Sequence, residues 1–360
     1  MTSVSVNNMA TMKTVVMRDN KVQVEKAPMP EPGSGQVLVR SRACGICGSD
    51  LHITRKAQEI LAFYQQLGLV EGTTESLEIS LGHEFSAEIV AFGPGTERSL
   101  PIGQRVTSIP FLPAEGGEVG VGTTPGVYGA YSEYFLLNEA WLLPVPEDLP
   151  DEAVAITEPM AIGLHSVNQG QPERDEVALV AGCGPIGLAC ISALHLRGVN
   201  NIIASDPQPD NRELAGRYGA TRTIDPREQD EMLLAAELAG GRRVVIFECV
   251  GIPTVIPDFI LRAPEKSCIV FTGLHTGEVA FSPAHALVKQ LNIKYAYYYE
   301  PQEFAACLQG LAGGDIPWRE LVTGKVGIDG VPGAFEEMMK HNSHIKVIIE
   351  PWREGALESI

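Results

Sequence analysis

The sequence is short of positive charge. Lys and Arg number 27 against 45 Asp and Glu, a formal net charge of −18. Sequence-independent nucleic-acid binding needs a basic surface, and anionic membrane surfaces attract the same sign, so this balance argues against both partners. No apolar run is long enough to span a bilayer. Met1–Ala10 has neither a basic start nor an apolar core, so no secretory leader is expected. The seven cysteines are odd in number and scattered. That excludes a secreted disulfide scaffold and leads us to expect free thiols in a reduced, cytoplasmic setting. Internal repeats and low-complexity tracts are also missing.

What is present points to a well-buried globular chain. Hydrophobic residues make up 44%, too many for a disordered polymer. At 360 residues the chain suits two domains rather than one core. From Met12 to about Leu137, short strand-like runs (Lys21–Val24, Gln36–Ser41, Ala87–Phe92, Arg105–Ile109, Ser132–Leu137) are punctuated by Gly and Pro. This is the texture of a β-rich domain. After Asp151 it changes. A helix is expected over Ala153–Gly170, and then strands alternate with helices. Strands are expected at Val177–Val180, Asn201–Ser205, Val244–Phe247 and Cys268–Phe271. Such alternation predicts a parallel, doubly wound sheet. A helix over Phe304–Leu311 and a strand over Ile345–Ile349 close the chain.

One stretch concentrates reactive groups: Cys44-Gly-Ile-Cys47-Gly-Ser49-Asp50-Leu-His52. Gly82-His83-Glu84 and Glu158-Pro159 follow. Thiolate, imidazole and carboxylate suit Zn²⁺, and three protein ligands with one open position mark a catalytic rather than a structural ion. Cys47, His83 and either Glu158 or Glu84 are the candidate ligands; Cys44 ranks below Cys47. Asp50 is the candidate partner for the second ring nitrogen of His83. Ser49 and His52 are candidates to carry the alcohol proton to solvent. Taken singly, each residue has an ordinary explanation: a redox pair at Cys44/Cys47, a core histidine, a helix-start glutamate. Their combination is what points to a metal.

The second signal is Gly182-Cys183-Gly184-Pro185-Ile186-Gly187, between the strand-like Val177–Val180 and a helix expected over Ile186–Leu196. Gly182 permits the tight turn, Gly184 lets backbone approach a pyrophosphate, and Gly187 allows close helix–strand packing. Pro185 and Ile186 open the helix, whose free N–H groups face the phosphates. Asp206 ends the next strand, and there a carboxylate binds ribose hydroxyls and repels a 2′-phosphate, favouring NAD over NADP.

On these residues, together with Gly163 and His165 after Glu158-Pro159, the chain resembles the medium-chain, zinc-dependent alcohol dehydrogenase family from about Met12 to Pro351. The resemblance implies a GroES-like β-rich catalytic domain from residues 12–159 and 300–360, and a Rossmann domain over 160–299. It also implies one catalytic zinc, NAD, and a homodimer or homotetramer. Glu158-Pro159 in place of a cysteine ligand resembles the sorbitol/threonine dehydrogenase branch, where Glu84 and Glu158 compete for the zinc. Lys346 falls where the family places a basic residue near the cofactor pyrophosphate.

Two departures stand out. Gly103–Leu137 contains no cysteine, so the four-cysteine structural zinc of many members is not expected. The long Arg55–Ser80 stretch carries Ile60, Phe63, Tyr64 and Leu67 at helical spacing. As a lid over the site it would suit a bulky or apolar secondary alcohol; as a surface helix it would only pack on the core. The function expected is NAD- and zinc-dependent interconversion of a small-molecule alcohol and its carbonyl. Alternatives are a polyol dehydrogenase, a zinc-free quinone or enoyl reductase of the same fold, and a non-catalytic binding protein.

Overall fold

The computed structural model describes residues 10–68, 76–114, 117–340 and 344–360. Most of the extension expected before Met12, and residues 69–75 of the long stretch, lie outside the described residues. The chain divides into two compact units: Met1–Ile156 with Val322–Ile360, and Thr157–Leu321.

The first unit begins with β1 (Thr11–Arg18), β2 (Lys21–Pro28) and β3 (Gln36–Gly45). Helices α1 (Gly48–Arg55) and α2 (Ala57–Gln66) follow, then β4 (Glu78–Ser80), β5 (Glu84–Phe92), β6 (Arg105–Ser108), β7 (Phe111–Ala114), β8 (Gly117–Gly120), β9 (Tyr134–Asn138), β10 (Leu142–Pro144) and α3 (Asp151–Ala155). Apolar residues at alternate positions explain the strands. Val37 and Val39 of β3, Val15 and Met17 of β1, and Ile79 of β4 all enter one core.

The helix expected over Ala153–Gly170 is two helices, α3 and α4 (Thr157–Gly170). Pro159 explains the break. In a continuous helix its missing N–H would leave the Ala155 carbonyl unpaired. Restarting at Thr157 places the proline in a first turn, where that donor is not needed.

The second unit continues with β11 (Val177–Ala181), α5 (Pro185–Arg197), β12 (Asn201–Ser205), α6 (Pro209–Arg217), β13 (Arg222–Ile224) and α7 (Glu231–Ala239). Then come β14 (Val244–Glu248), α8 (Val255–Arg262), β15 (Cys268–Phe271), α9 (Pro283–Lys289), β16 (Asn292–Tyr295) and α10 (Pro301–Gly313). Among the described residues its strands form one parallel sheet, ordered β13-β12-β11-β14-β15-β16. β11, β14 and β15 are buried along their whole length. Continuous apolar runs of that kind are what a sheet covered on both faces requires. The chain's return to the first unit comes at Val322, not at 300. The physical reason is α10, which joins α4: Glu303 accepts from His165 Nδ1 at 2.8 Å and from Asn168 Nδ2 at 2.5 Å.

The returning segment adds β17 (Val322–Gly327), α11 (Val331–Met338), β18 (Lys346–Glu350) and β19 (Glu358–Ser359). β18 pairs antiparallel with β3, Ile348 opposite Gly45, while β5 lies on the other side of β3 with Glu84 opposite Gly45. This three-strand arrangement sets up the site described next.

Helix α2 differs from the expected stripe. Ala57, Ile60 and Leu61 are buried in the first unit's core, whereas Phe63 and Leu67 are exposed. Tyr64 packs against that core and its hydroxyl donates to the Thr123 carbonyl at 3.1 Å. The inward face therefore runs i, i+3, i+4, i+7 from Ala57, one register away from a stripe through Phe63 and Leu67.

Candidate metal and cofactor sites

Among the described residues, one group could hold a metal ion: Cys47, His83 and Glu84, whose ligand atoms lie within 4.8 Å of one another. Cys47 is the N-cap of α1, and Asp50, three residues on, accepts from the Cys47 amide at 3.0 Å. An acidic residue reaching back to the cap amide is one half of a capping box, so the local sequence itself starts the helix at the thiol. His83 and Glu84 arrive together at the start of β5. The donor set fits zinc. A tetrahedral ion with bonds of about 2.0–2.3 Å spaces its ligands by roughly 3.3–3.8 Å, so small side-chain rotations would close this group.

The neighbours of the cluster are polar and wholly or partly buried. Asp50 is fully buried, and its Oδ1 lies 3.6 Å from His83 Nδ1. Ser49 Oγ is 3.5 Å from the other ring nitrogen, Nε2. His52 is half-buried three residues beyond Ser49 on α1, on the same side of the helix. Burial pushes the Cys47 thiol up, as does the Glu84 charge, while His83 pulls it down. Burial also raises the Asp50 carboxyl, against the opposing pull of His83 and of a hydrogen bond from Tyr131. Cys44 is wholly buried, its thiol pushed well up, and it stands outside the cluster.

Lys346 requires a correction. It is not available to a cofactor pyrophosphate. Its side chain is 1% exposed, and Nζ donates to Glu84 Oε1 and Oε2 at 2.8 and 2.7 Å and to the Ile46 carbonyl at 3.1 Å. The strand order explains why. Lys346 of β18 and Glu84 of β5 flank β3 and meet over Gly45, where a Cβ would come within 2.0 Å of Glu84 Oε2. The signal was visible in Cys44-Gly45-Ile46: a glycine inside a strand marks a close approach. Tyr131 is a residue the sequence did not announce. Its hydroxyl donates to Asp50 Oδ2 at 2.6 Å.

The glycine turn lies in the second unit, between β11 and α5. Gly182 has φ +87°, and a Cβ on Gly187 would lie 1.8 Å from the Gly182 carbonyl oxygen. Gly184 has open space where a side chain would be. The turn sits at the C-terminal end of β11, and sheet order reverses between β11 and β14, the switch point where such sheets bind nucleotides. Asp206, just after β12, accepts from the Cys183 amide and from the Gln208 amide, each at 2.8 Å. Arg212 and Arg227 nearby both pair with Asp225, at 3.2 and 2.8 Å. The Arg227 hydrogen bonds hold the Asp225 carboxyl well below the usual carboxylate range. These residues fit a dinucleotide: an open backbone cradle, a helix N-terminus, and an acid beside it. Glu158 lies in this second unit, in the first turn of α4.

Comparison with known proteins agrees with both halves. Residues 33–147 match the alcohol dehydrogenase GroES-like domain, and residues 185–313 match the zinc-binding dehydrogenase family. The chain belongs to the medium-chain, zinc-dependent alcohol dehydrogenase family. It is 29% identical over 340 residues to an (R,R)-butanediol dehydrogenase of Bacillus subtilis (strain 168), covering 92% of this chain and 96% of that protein. A sorbitol dehydrogenase of the same organism is 26% identical over 358 residues, covering 95% and 98%. The crystal structure of 2R,3R-butanediol dehydrogenase from Bacillus subtilis superposes with a TM-score of 0.79 at 28% identity, covering 94% of this chain and 99% of that one. As a family member the chain is an oxidoreductase of the alcohol dehydrogenase type, with a GroES-like domain and a Rossmann-type parallel sheet.

Proposed function

We propose that this dehydrogenase oxidises a secondary alcohol flanked by a second hydroxyl, with NAD as acceptor and zinc held by Cys47, His83 and Glu84. The gathering of those three side chains carries the reading. When bound, zinc supplies a Lewis acid that lowers the pKa of the substrate hydroxyl. The chain's own groups do the rest. Asp50 Oδ1, 3.6 Å from His83 Nδ1, would orient the imidazole as one of the groups that hold the metal. Lys346 fixes the Glu84 carboxylate with both oxygens engaged, and a carboxylate has lone pairs left for a metal. Ser49 Oγ would accept the substrate proton while giving up its own hydroxyl proton, and the His52 imidazole, three residues on along the same side of α1, would take that proton and release it to solvent.

The preference for NAD rests on Asp206, and on Arg212 and Arg227 already being paired with Asp225 rather than offered to a 2′-phosphate. The substrate class follows the chemistry shared by the relatives' named substrates, butanediol and sorbitol. A bulky apolar alcohol has less support, because α2 turns Ile60 and Leu61 into the core rather than along a free face. We also infer a homodimer. β16 ends the parallel sheet, and Leu287, Val288, Tyr295 and Tyr297 around it are each more than two-thirds exposed. Among the described residues β16 is an edge strand, and an edge flanked by exposed apolar side chains is satisfied by a second copy of itself.

The test is metal analysis with an NADH-production screen. Purified protein should carry zinc, lost in Cys47→Ala and weakened in Glu84→Gln, and vicinal diols should outperform simple aliphatic and aromatic alcohols. If Glu158→Gln rather than Glu84→Gln empties the metal, the carboxylate ligand is Glu158. Zinc-free protein with activity that survives chelation would make the chain a metal-independent reductase. A strong preference for apolar mono-alcohols would overturn the substrate class.

A further inference from the structure

We propose that Tyr131 is a positioning residue for the metal ligand His83, acting through Asp50. The inference rests on the metal reading above. Tyr131 is wholly buried, and a phenylalanine would fill the same space without a hydroxyl to desolvate. The hydroxyl has a specific use. Its single proton goes to Asp50 Oδ2, 2.6 Å away, while the Gly45 carbonyl stands at 3.1 Å. The same Oδ2 accepts the Cys47 amide at 3.0 Å. Two donors from different parts of the chain thus pin one oxygen, and the other, Oδ1, is left facing His83 Nδ1.

The backbone makes this a bridge between the two ligand-bearing segments. The Tyr131 amide donates to the Leu81 carbonyl at 3.1 Å, and the Ala130 amide to the Gly82 carbonyl at 2.9 Å, immediately before His83. The main chain of Tyr131 is therefore tied to the His83 segment, and its side chain to the Cys47–Asp50 segment. Without the hydroxyl, the Cys47 amide alone would fix the carboxylate, and Oδ1 would lose its set direction toward the imidazole. A histidine ligand whose outer partner is misaligned binds metal less tightly.

The experiment measures zinc affinity by competition with a chromophoric chelator in wild type, Tyr131→Phe, Asp50→Asn and the double variant. The absorption spectrum of the cobalt-substituted protein is recorded alongside. Tyr131→Phe keeps the ring and its edge-on packing against Phe335, so the fold is retained; melting of the metal-free protein monitors it. We expect a loss of affinity of about tenfold in Tyr131→Phe, a shifted cobalt spectrum, and no further loss when Tyr131→Phe is added to Asp50→Asn. That lack of additivity is the mark of a hydroxyl acting through Asp50. Unchanged affinity and spectrum with only a lower melting temperature would reduce Tyr131 to a core residue and overturn the proposal. Losses that add in the double variant would overturn it as well. If wild-type zinc is not lost in Cys47→Ala, the metal reading itself fails. Zinc lost in Cys47→Ala but unaffected by Tyr131→Phe sinks the positioning role alone.

Discussion

At the metal cluster the working groups are side chains, and they are buried and polar: the ion pair of Glu84 and Lys346, the Asp50 carboxyl and the His83 imidazole. At the glycine turn the working groups are backbone amides, and what matters about Gly182, Gly184 and Gly187 is the side chain they lack. The first site is expensive to desolvate and holds only because each charge has a partner from another strand or helix. The second is assembled almost entirely within one strand–turn–helix unit, helped by Asp206 from the neighbouring strand. Damage should therefore propagate differently: through unpaired charge at the first site, through steric overlap at the second.

The sharpest way to probe that contrast is Lys346→Met. It leaves Glu84 buried without its cation and should cost about 3–5 kcal/mol of stability, read by chemical denaturation, with NADH affinity unchanged. A loss of NADH affinity without a loss of stability would restore Lys346 to the cofactor pyrophosphate. Next comes Gly187→Ala, whose new methyl would overlap the Gly182 carbonyl oxygen. Dinucleotide affinity by titration should fall about 100-fold, roughly 2.7 kcal/mol, while zinc content stays at the wild-type level. Zinc lost along with NADH binding would show that the two sites do not fail independently. The smallest effect is expected for Asp206→Ser. The ratio of kcat/KM for NAD over NADP should drop about tenfold, close to 1.4 kcal/mol. An unchanged ratio would remove Asp206 from cofactor selection.

The same contrast explains what was legible beforehand. The Gly182–Gly187 turn, its strand and its helix could be read in order because the pattern that specifies them lies within one short run of sequence. Cys47 and Asp50 were similarly legible, since a residue three positions past a helix start caps it wherever the helix lies. Lys346 was misplaced because its role depends on β18 docking beside β3 after more than 260 intervening residues separate it from Glu84. Tyr131 gave no signal, since a tyrosine within an apolar run looks like any core aromatic until its hydroxyl is seen against Asp50. The face of α2 was read one register out because periodicity identifies apolar residues but not which neighbours await them; Leu61 found a core and Phe63 did not.

By itself, the sequence determined the fold class, the alternation that builds the parallel sheet, the glycine turn, and the thiol, imidazole and carboxylate that a zinc would need. These follow from residue type and short-range spacing, which act before any distant segment is in place. The tertiary structure alone decided that Glu84 is neutralised by Lys346 over Gly45, that Tyr131 steadies Asp50, and that the chain returns to its first unit only at Val322. Those outcomes depend on which strands become neighbours. Burying a charge is tolerable only where the fold delivers its counter-charge, so only the assembled sheet fixes where such pairs lie.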